Sequence, residues 1–221
     1  MANSPKTGRA PAVRRTQADR SETTQRRILN SAVRLLQREG YQNTNLQKIA
    51  QGARVTLGAL QHHFGNRETL MERVVDEVMA PLAHSGAAWP QDAQALALPE
   101  RARAFVQSAW DSTYGLPRYV AAWSLYFGCR SSATLFRRID AQRAREDPLY
   151  FAHFLALFPE IAERHPKPQD VASLVFSSLR GIAVMRIFET DAAATAGQLD
   201  ALAHLITLAG STPASPPSAL R

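Results

Sequence analysis

Apolar residues recur at helical spacing along most of this 221-residue chain. The clearest stretch follows Thr23, where four apolar residues stand at positions i, i+4, i+7 and i+8, the spacing that places side chains on one face of an α-helix. These residues are Ile28, Ala32, Leu35 and Leu36. No convincing alternation of apolar and polar residues, the pattern of a half-buried strand, occurs anywhere. We therefore predict an all-α fold.

Composition and cysteine usage exclude several other classes of protein. Hydrophobic residues make up 45% of the chain, which is enough for a real core. The single cysteine, Cys129, excludes an intrachain disulfide and a cysteine-based zinc site. The first twenty residues lack the apolar core of a signal peptide. The longest uncharged apolar run, residues 119–129, is shorter than the ~20 residues that cross a bilayer. We expect a cytoplasmic protein without a membrane span.

Positive charge is concentrated in the N-terminal third of the chain. The whole chain has a formal net charge of +7, whereas residues 1–67 hold twelve basic and three acidic residues, a balance of +9. The remaining 154 residues therefore sum to −2. This asymmetry favours a polyanionic partner, with nucleic acid ahead of an anionic membrane. A solvated tail is the less favoured explanation of the first twenty residues, and the amphipathic helix that membrane binding requires is absent.

The pattern of apolar, charged and proline residues divides the chain into four segments. Residues 1–20 are polar and basic, and we predict that they are disordered. Residues 21–68 contain three helical segments, the first ending at Gly40 in a left-handed cap. Residues 69–210 form a larger helical domain, with a restart or kink predicted at Pro148, and residues 211–221 form a second disordered tail.

Two short helical segments joined by a turn follow the basic first helix. The first, with Leu46, Ile49 and Ala50 on one face, spans only about two turns, so packing on the preceding helix must hold it. The second is held by its own apolar residues, which are Val55, Leu60 and Phe64. Two short helices joined by a three-residue turn, with a basic helix before them, form a helix-turn-helix.

The other face of the second short helix is free to contact a DNA groove. Gln61 can pair with adenine or bond a phosphate, and Leu57 or Ala59 can touch a thymine methyl group. Helix N-termini direct backbone N–H groups at phosphates, and such termini are predicted at Thr44 or Asn45, at Thr56 and at Asn66. Duplex DNA is therefore the expected partner.

Residues 26–70 resemble the DNA-binding segment of the TetR family of one-component repressors. The matching motifs are Gly40-Tyr41, Thr44, Leu46-x-x-Ile49-Ala50, Ala53-Arg54-Val55-Thr56, Gly58-Ala59-Leu60-Gln61-His62-His63-Phe64 and Asn66-Arg67-Glu68-x-Leu70. The match runs over about 45 residues without a gap. The resemblance implies a repressor that binds a palindromic operator as a homodimer and is released by a small molecule. A ligand-independent or activating regulator with the same N-terminal domain is the alternative.

The resemblance and the helix N-termini together imply a set of DNA contacts. The candidates are Thr44, Asn45, Gln47, Arg54, Thr56, Leu57, Ala59, Gln61, His62 and Arg67. Arg67 takes the place of a phosphate-binding lysine. Arg54 replaces a turn glycine, which costs on the order of 1 kcal/mol if the position keeps a positive φ, and it offers a phosphate contact. Gln61 replaces a phosphate-binding tyrosine, so it either contacts phosphate or reads a base.

For the larger domain, the resemblance implies a small-molecule site and a dimer formed through the last two long helices, about residues 169–209. These helices are rich in small residues, which allow close packing across a two-fold interface, although the same face can instead pack within the subunit. The aromatic residues of the middle helices either line an apolar cavity or form plain core. The candidate ligand-binding residues are Trp110, Tyr114, Trp123, Phe127, Phe151 and Phe154.

The sequence gives little support to the hypothesis that this protein is an enzyme. No G-x-S-x-G, P-loop, dinucleotide fingerprint or H-E-x-x-H motif occurs, so we expect no catalytic residues and no cofactor. His62 and His63 are adjacent and face different sides of a helix, so we expect no metal site. The operator sequence, the regulated genes, the effector and the sign of regulation do not follow from the sequence.

Overall fold

The computed structural model describes residues 16–83, 89–90, 92–188 and 191–211, and within these ranges it contains helices and no strand. The predicted all-α fold is confirmed. The α-helices are α1 (Gln17–Asn43), α2 (Leu46–Ala53), α3 (Leu57–Phe64), α4 (Arg67–Ala83), α5 (Leu98–Ala109), α6 (Pro117–Gly128), α7 (Ala133–Leu157), α8 (Pro159–Arg164), α9 (Pro168–Met185) and α10 (Ala192–Gly210). In the described part of the chain, no helix is both long and apolar enough to span a membrane.

Helix α1 begins earlier than the sequence pattern predicted. Thr16 accepts a hydrogen bond from the Asp19 backbone N–H, and Asp19 accepts one from the Thr16 N–H at 2.9 Å. This reciprocal pair is a capping box, which satisfies two amides that a helix start leaves free. Residues 17–20 are therefore helical rather than disordered. The rest of the predicted N-terminal tail lies outside the described residues.

Three backbone positions of the N-terminal domain have positive φ, which are Gly40, Arg54 and Gly65. Gly40 has φ 69° and ψ 175°, so it has the positive φ but not the αL conformation of the predicted cap, and the chain kinks there before the last residues of α1. Arg54 follows α2 with φ 55° and ψ 48°, so the position that the resemblance identified with a turn glycine keeps the left-handed conformation. Non-glycine residues pay a conformational cost in this region, because Cβ crowds the following carbonyl oxygen.

The larger domain differs from prediction at several helix boundaries. Pro148 lies inside α7, which runs as one helix from residue 133 to residue 157 without the expected restart. Helix α4 likewise continues through Pro81 to Ala83. Between α5 and α6, residues 110–114 form a π-helical turn. Helix α10 starts at Ala192, where the Asp191 side chain caps it, rather than near Gln198. The predicted tail after residue 211 lies outside the described residues.

The buried side chains form two clusters, and one of them crosses the predicted boundary at residue 68. One cluster fills the larger domain around Phe105, Phe154, Phe158 and Phe176. The other joins the buried faces of α1 to α4 to residues of α6 and α7, including Leu125, and to Cys129. Burial raises the pKa of the Cys129 thiol. The N-terminal domain therefore shares a core with the middle helices of the larger domain.

Candidate nucleic-acid interface

Helices α2 and α3 are held against α1 by apolar packing and by hydrogen bonds from polar side chains of α1. Ile49 is fully buried, and the buried Ser31 hydroxyl donates to its carbonyl oxygen at 2.9 Å. The guanidinium of Arg27 donates to the carbonyl oxygens of Ala53 and Arg54 at 2.5 and 3.1 Å. Arg27 thus satisfies acceptors that the end of α2 leaves free, a structural role that the sequence pattern did not identify.

The exposed face of α3 is the one predicted to meet DNA. Leu60 and Phe64 are buried, at 0% and 6% exposure, and anchor the helix. On the opposite side, Leu57 is 41% exposed, and Gln61 and His62 are exposed. Ala59 is half-buried, and a Cβ added at the neighbouring Gly58 would meet no atom within 4 Å. The burial of α3 agrees with the predicted anchoring face and with Leu57, Gln61 and His62 on the outward face, whereas Ala59 is only partly accessible.

Each of the last three helices of the domain begins with a capping side chain. Asn45 accepts from the Lys48 N–H at 2.9 Å, Thr56 accepts from the Ala59 N–H at 3.1 Å, and Asn66 accepts from the Thr69 N–H at 2.9 Å. These caps each satisfy one of the first amides of a helix. The positive ends of α2, α3 and α4 are therefore fixed at three neighbouring points of one small domain.

Thr44 and Gln47 differ in their access to solvent. Thr44 is 1% exposed, its hydroxyl donates to the Gly40 carbonyl oxygen at 2.8 Å, and its backbone N–H donates to the Tyr41 carbonyl oxygen at 3.2 Å. Both of its donors are thus engaged within the protein. Gln47 and Asn45 are exposed at the start of α2.

Arg67 joins the start of α4 to the end of α1. Its guanidinium lies over the Tyr41 ring, 3.9 Å from the ring centroid, and donates to the Tyr41 carbonyl oxygen. Burial raises the pKa of the Tyr41 phenol. On the other side of α1, Lys48 pairs with Glu39 at 2.7 Å, and this hydrogen bond lowers the pKa of Glu39. Among the described residues, no group of His, Cys, Asp or Glu side chains is arranged to hold a metal ion.

A cavity lies in the larger domain between α4, α6, α7 and α9. Its volume is about 70 Å³, and its lining residues are Val75, Met79, Tyr119, Ala122, Trp123, Tyr126, Ile139, Gln142, Arg143, Glu146, Asp147, Tyr150 and Arg180. Of the six aromatic residues proposed as ligand contacts, Trp123 alone lines it. The acidic and amide side chains of α7 in this wall, which are Gln142, Glu146 and Asp147, were not among the predicted ligand contacts.

The other five aromatic residues lie in different surroundings. Tyr114 and Phe154 are fully buried core residues, and Phe151 stacks on Phe176 with ring centroids 5.8 Å apart. Phe127 is 55% exposed on the surface of α6. Trp110 lines a separate open groove between α5 and α10, of about 740 Å³. The structure does not bring these six side chains together around one cavity.

Comparison with known proteins agrees with this geometry. Residues 28–74 match the family model described as bacterial regulatory proteins, tetR family. The HTH-type transcriptional regulator BetI of Burkholderia thailandensis is 25% identical over 175 residues, which is 78% of this chain and 88% of that protein. The HTH-type transcriptional regulator CymR of Pseudomonas putida is 27% identical over 188 residues, which is 80% of this chain and 86% of that protein. These relatives are regulators, a class without enzymatic activity.

Solved structures share the fold over nearly their whole length. The fatty acid degradation regulator FadR from Bacillus halodurans superimposes with a TM-score of 0.66 at 15% identity, covering 89% of this chain and 99% of that one. The TetR-family regulator PfmR from Thermus thermophilus superimposes with a TM-score of 0.59 at 23% identity, covering 82% of this chain and 97% of that one. Residues 28–74 therefore match a DNA-binding helix-turn-helix of the tetR family type, and the chain as a whole shares the fold of solved TetR-family regulators.

Proposed function

We propose that this protein is a cytoplasmic repressor that binds a palindromic operator as a homodimer and is released from it by a small molecule. The observation that supports this most directly is the outward face of α3, held rigidly by Leu60 and Phe64 on an N-terminal segment with a charge of +9 over residues 1–67. A helix of this kind enters the major groove of duplex DNA in helix-turn-helix proteins.

The proposed contacts divide into groups that position the protein and groups that read sequence. Leu57, Ala59, Gln61 and His62 lie on the outward face of α3 and reach base edges or the thymine methyl group. Phosphate contacts come from the exposed groups at the helix starts and the turn, which are Asn45, Gln47, Arg54 and Thr56. Arg67 completes the proposed set and also holds α1 in place. Thr44, predicted as a contact, is withdrawn from the set, because it is buried and both of its donors bond within the protein.

A second copy of this chain is the proposed partner of α9 and α10. On α9, Leu174, Ser177, Gly181 and Met185 are all exposed and stand at positions i, i+3, i+7 and i+11, which share one face. Leu174 is 65% exposed and Met185 is 50% exposed, while Leu205 on α10 is 58% exposed. Apolar side chains left in water on two neighbouring helices favour burial in an isologous interface.

The proposed effector acts through α4, which begins in the DNA-binding domain and ends at the cavity. Arg67 at its first turn contacts α1, and Val75 and Met79 line the cavity two and three turns later. The same helix is tied to α7 by the Glu72–Arg138 ion pair at 3.3 Å. A ligand that prefers the non-binding arrangement by ~3 kcal/mol lowers DNA affinity about 100-fold, a usual allosteric coupling.

To test this proposal, duplex DNA fragments that bind the full-length protein are selected from a random library and sequenced. We expect an inverted repeat whose half-sites lie about one helical turn apart, with affinity that falls steeply as salt releases phosphate counterions. A metabolite library is then screened for molecules that release the selected duplex. An asymmetric or absent motif would refute dimeric operator binding, and release by no molecule would favour the ligand-independent alternative.

Gln61 gives a separate prediction on base reading. If Gln61 pairs with a base edge, Gln61→Ala lowers affinity for the selected operator by roughly 1–3 kcal/mol and relaxes preference at one position in each half-site. Repeating the selection with the variant measures that preference. Gln51→Ala, at an exposed glutamine of α2, serves as the matched control. A uniform loss of affinity at every sequence would assign Gln61 to phosphate instead.

A further inference from the structure

The cavity wall contains a carboxylate whose hydrogen-bond partners are neutral. Glu146 accepts from the Tyr150 hydroxyl at 2.6 Å through one oxygen and from the Gln142 amide at 3.3 Å through the other. Within the described part of the chain, none of the ion pairs includes Glu146. Glu146 is half-buried, and a partly desolvated charge is stabilised best by an opposite charge, which no ion pair supplies to it here.

The neighbouring amide presents a buried acceptor of its own. Gln142 is 3% exposed, and its nitrogen donates to both Glu146 and Asp76. Since the amide nitrogen of Gln142 donates to two carboxylates, its amide oxygen is the atom that still needs a hydrogen-bond donor. That oxygen is buried and has no hydrogen-bond partner in the protein. A buried acceptor without a donor is costly, and a donor brought by a ligand removes the cost.

The remaining charges around the cavity are matched to one another. Asp147 lies 3.1 Å from Arg143 and 4.0 Å from Arg180, and Asp76 lies 3.3 Å from Arg73. Arg143 is also shared with Asp140 at 3.1 Å. Burial raises the pKa of Asp76 and of Asp147 despite these arginines. Both arginines that line the cavity therefore pair with Asp147, and Glu146 is the lining carboxylate left without an ion pair among the described residues.

We propose that this cavity binds a small primary or secondary amine, whose protonated head pairs with Glu146 and donates an N–H to the oxygen of Gln142. The proposal rests on the proposed function only in placing an effector in this cavity. The volume of about 70 Å³ compares with the ~10–15 Å³ that one water requires by the same measure, so a group of about five non-hydrogen atoms fits. Ala122, Val75 and Ile139 give the carbon chain an apolar wall.

The experiment measures binding of three four-carbon probes to the purified full chain by calorimetry. The probes are butylamine, butan-1-ol and butanoate, which differ in charge at one end. We expect butylamine to bind about ten-fold more tightly than either of the others, as a hydrogen bond to a charged group provides. Glu146→Gln should remove most of this ten-fold preference, and Gln142→Met should reduce it. Glu77→Gln, an exposed glutamate of α4, should leave it unchanged.

Other results overturn the proposal. Tighter binding of butanoate would show that Arg180 and Arg143 dominate the cavity, and equal binding of butylamine and butan-1-ol would show an apolar pocket without charge selection. Binding of none of the three would also refute it. Thermal unfolding of each variant identifies any loss that comes from misfolding. Adding the selected operator to these measurements separates the two proposals. If butylamine binds the cavity but does not release the DNA, the effector role is contradicted and the amine assignment stands. If a molecule that is not an amine binds the cavity and releases the DNA, the amine assignment is contradicted and the effector role stands.

Discussion

Replacing Leu174 with arginine should lower operator affinity by about 100-fold or more, because one subunit then binds one half-site without the second subunit that dimerisation supplies. Leu174 is 65% exposed on the proposed dimer face of α9. An arginine there places a charge in an interface that otherwise buries apolar surface. The protomer itself should stay folded, because the side chain does not belong to its core.

Sedimentation velocity and fluorescence anisotropy with the selected operator test this prediction. Leu149→Arg is the matched control, since Leu149 is 51% exposed on α7 and lies outside the α9 and α10 face. The control variant should remain dimeric and bind with the affinity of the unsubstituted protein. A Leu174→Arg variant that also remains dimeric would show that the two-fold interface lies elsewhere.

Replacing Glu160 with glutamine should lower the free energy of unfolding by about 3–5 kcal/mol, the usual loss when one partner of a buried ion pair is removed. Arg101 is 6% exposed, and its guanidinium contacts Glu160 at 2.7 and 3.3 Å and the Leu157 carbonyl oxygen at 3.0 Å. Without the carboxylate, this buried cation has no counter-charge. The pair also joins α5 to α8, so both helices loosen together.

Chemical denaturation measures the change. Glu163→Gln, at an exposed residue of the same helix, is the control and should alter stability by less than ~0.5 kcal/mol. Adding Arg101→Met to Glu160→Gln should restore part of the loss, because the unpaired buried charge is then removed as well. A Glu160→Gln protein as stable as the original would mean that water reaches the Arg101 guanidinium.

The DNA-binding domain was predictable because its signals are local. Thr56 and Asn66 cap helices within three residues, and the periodic burial of Leu60 and Phe64 follows from helical geometry alone. The early start of α1 had a local signal too, in the Thr16 and Asp19 pair, but the surrounding positive charge directed the interpretation towards a disordered tail.

The cavity was not predictable to the same degree, because it depends on contacts between distant helices. Trp123 and Phe127 stand one turn apart on α6, yet one lines the cavity and the other is 55% exposed. Periodicity places both on one side of the helix, and only the position of α4 and α7 separates them. Gln142 and Glu146 carried no sequence signal, since polar residues on a long helix ordinarily face solvent.

The core shared between the N-terminal domain and α6 and α7 limits how such a protein can be rearranged. Gly128 ends α6 so close to α1 that an added Cβ would lie 2.6 Å from the Tyr41 Cβ. Leu125, Cys129 and Leu135 belong to the same cluster as Ile28 and Ile49. We therefore expect the two parts to unfold as one cooperative unit rather than as independent modules. Exchanging only residues 28–74 with those of a relative would leave mismatched surfaces at this shared core, so a change of DNA sequence preference is expected to come more readily from substitutions on the exposed face of α3.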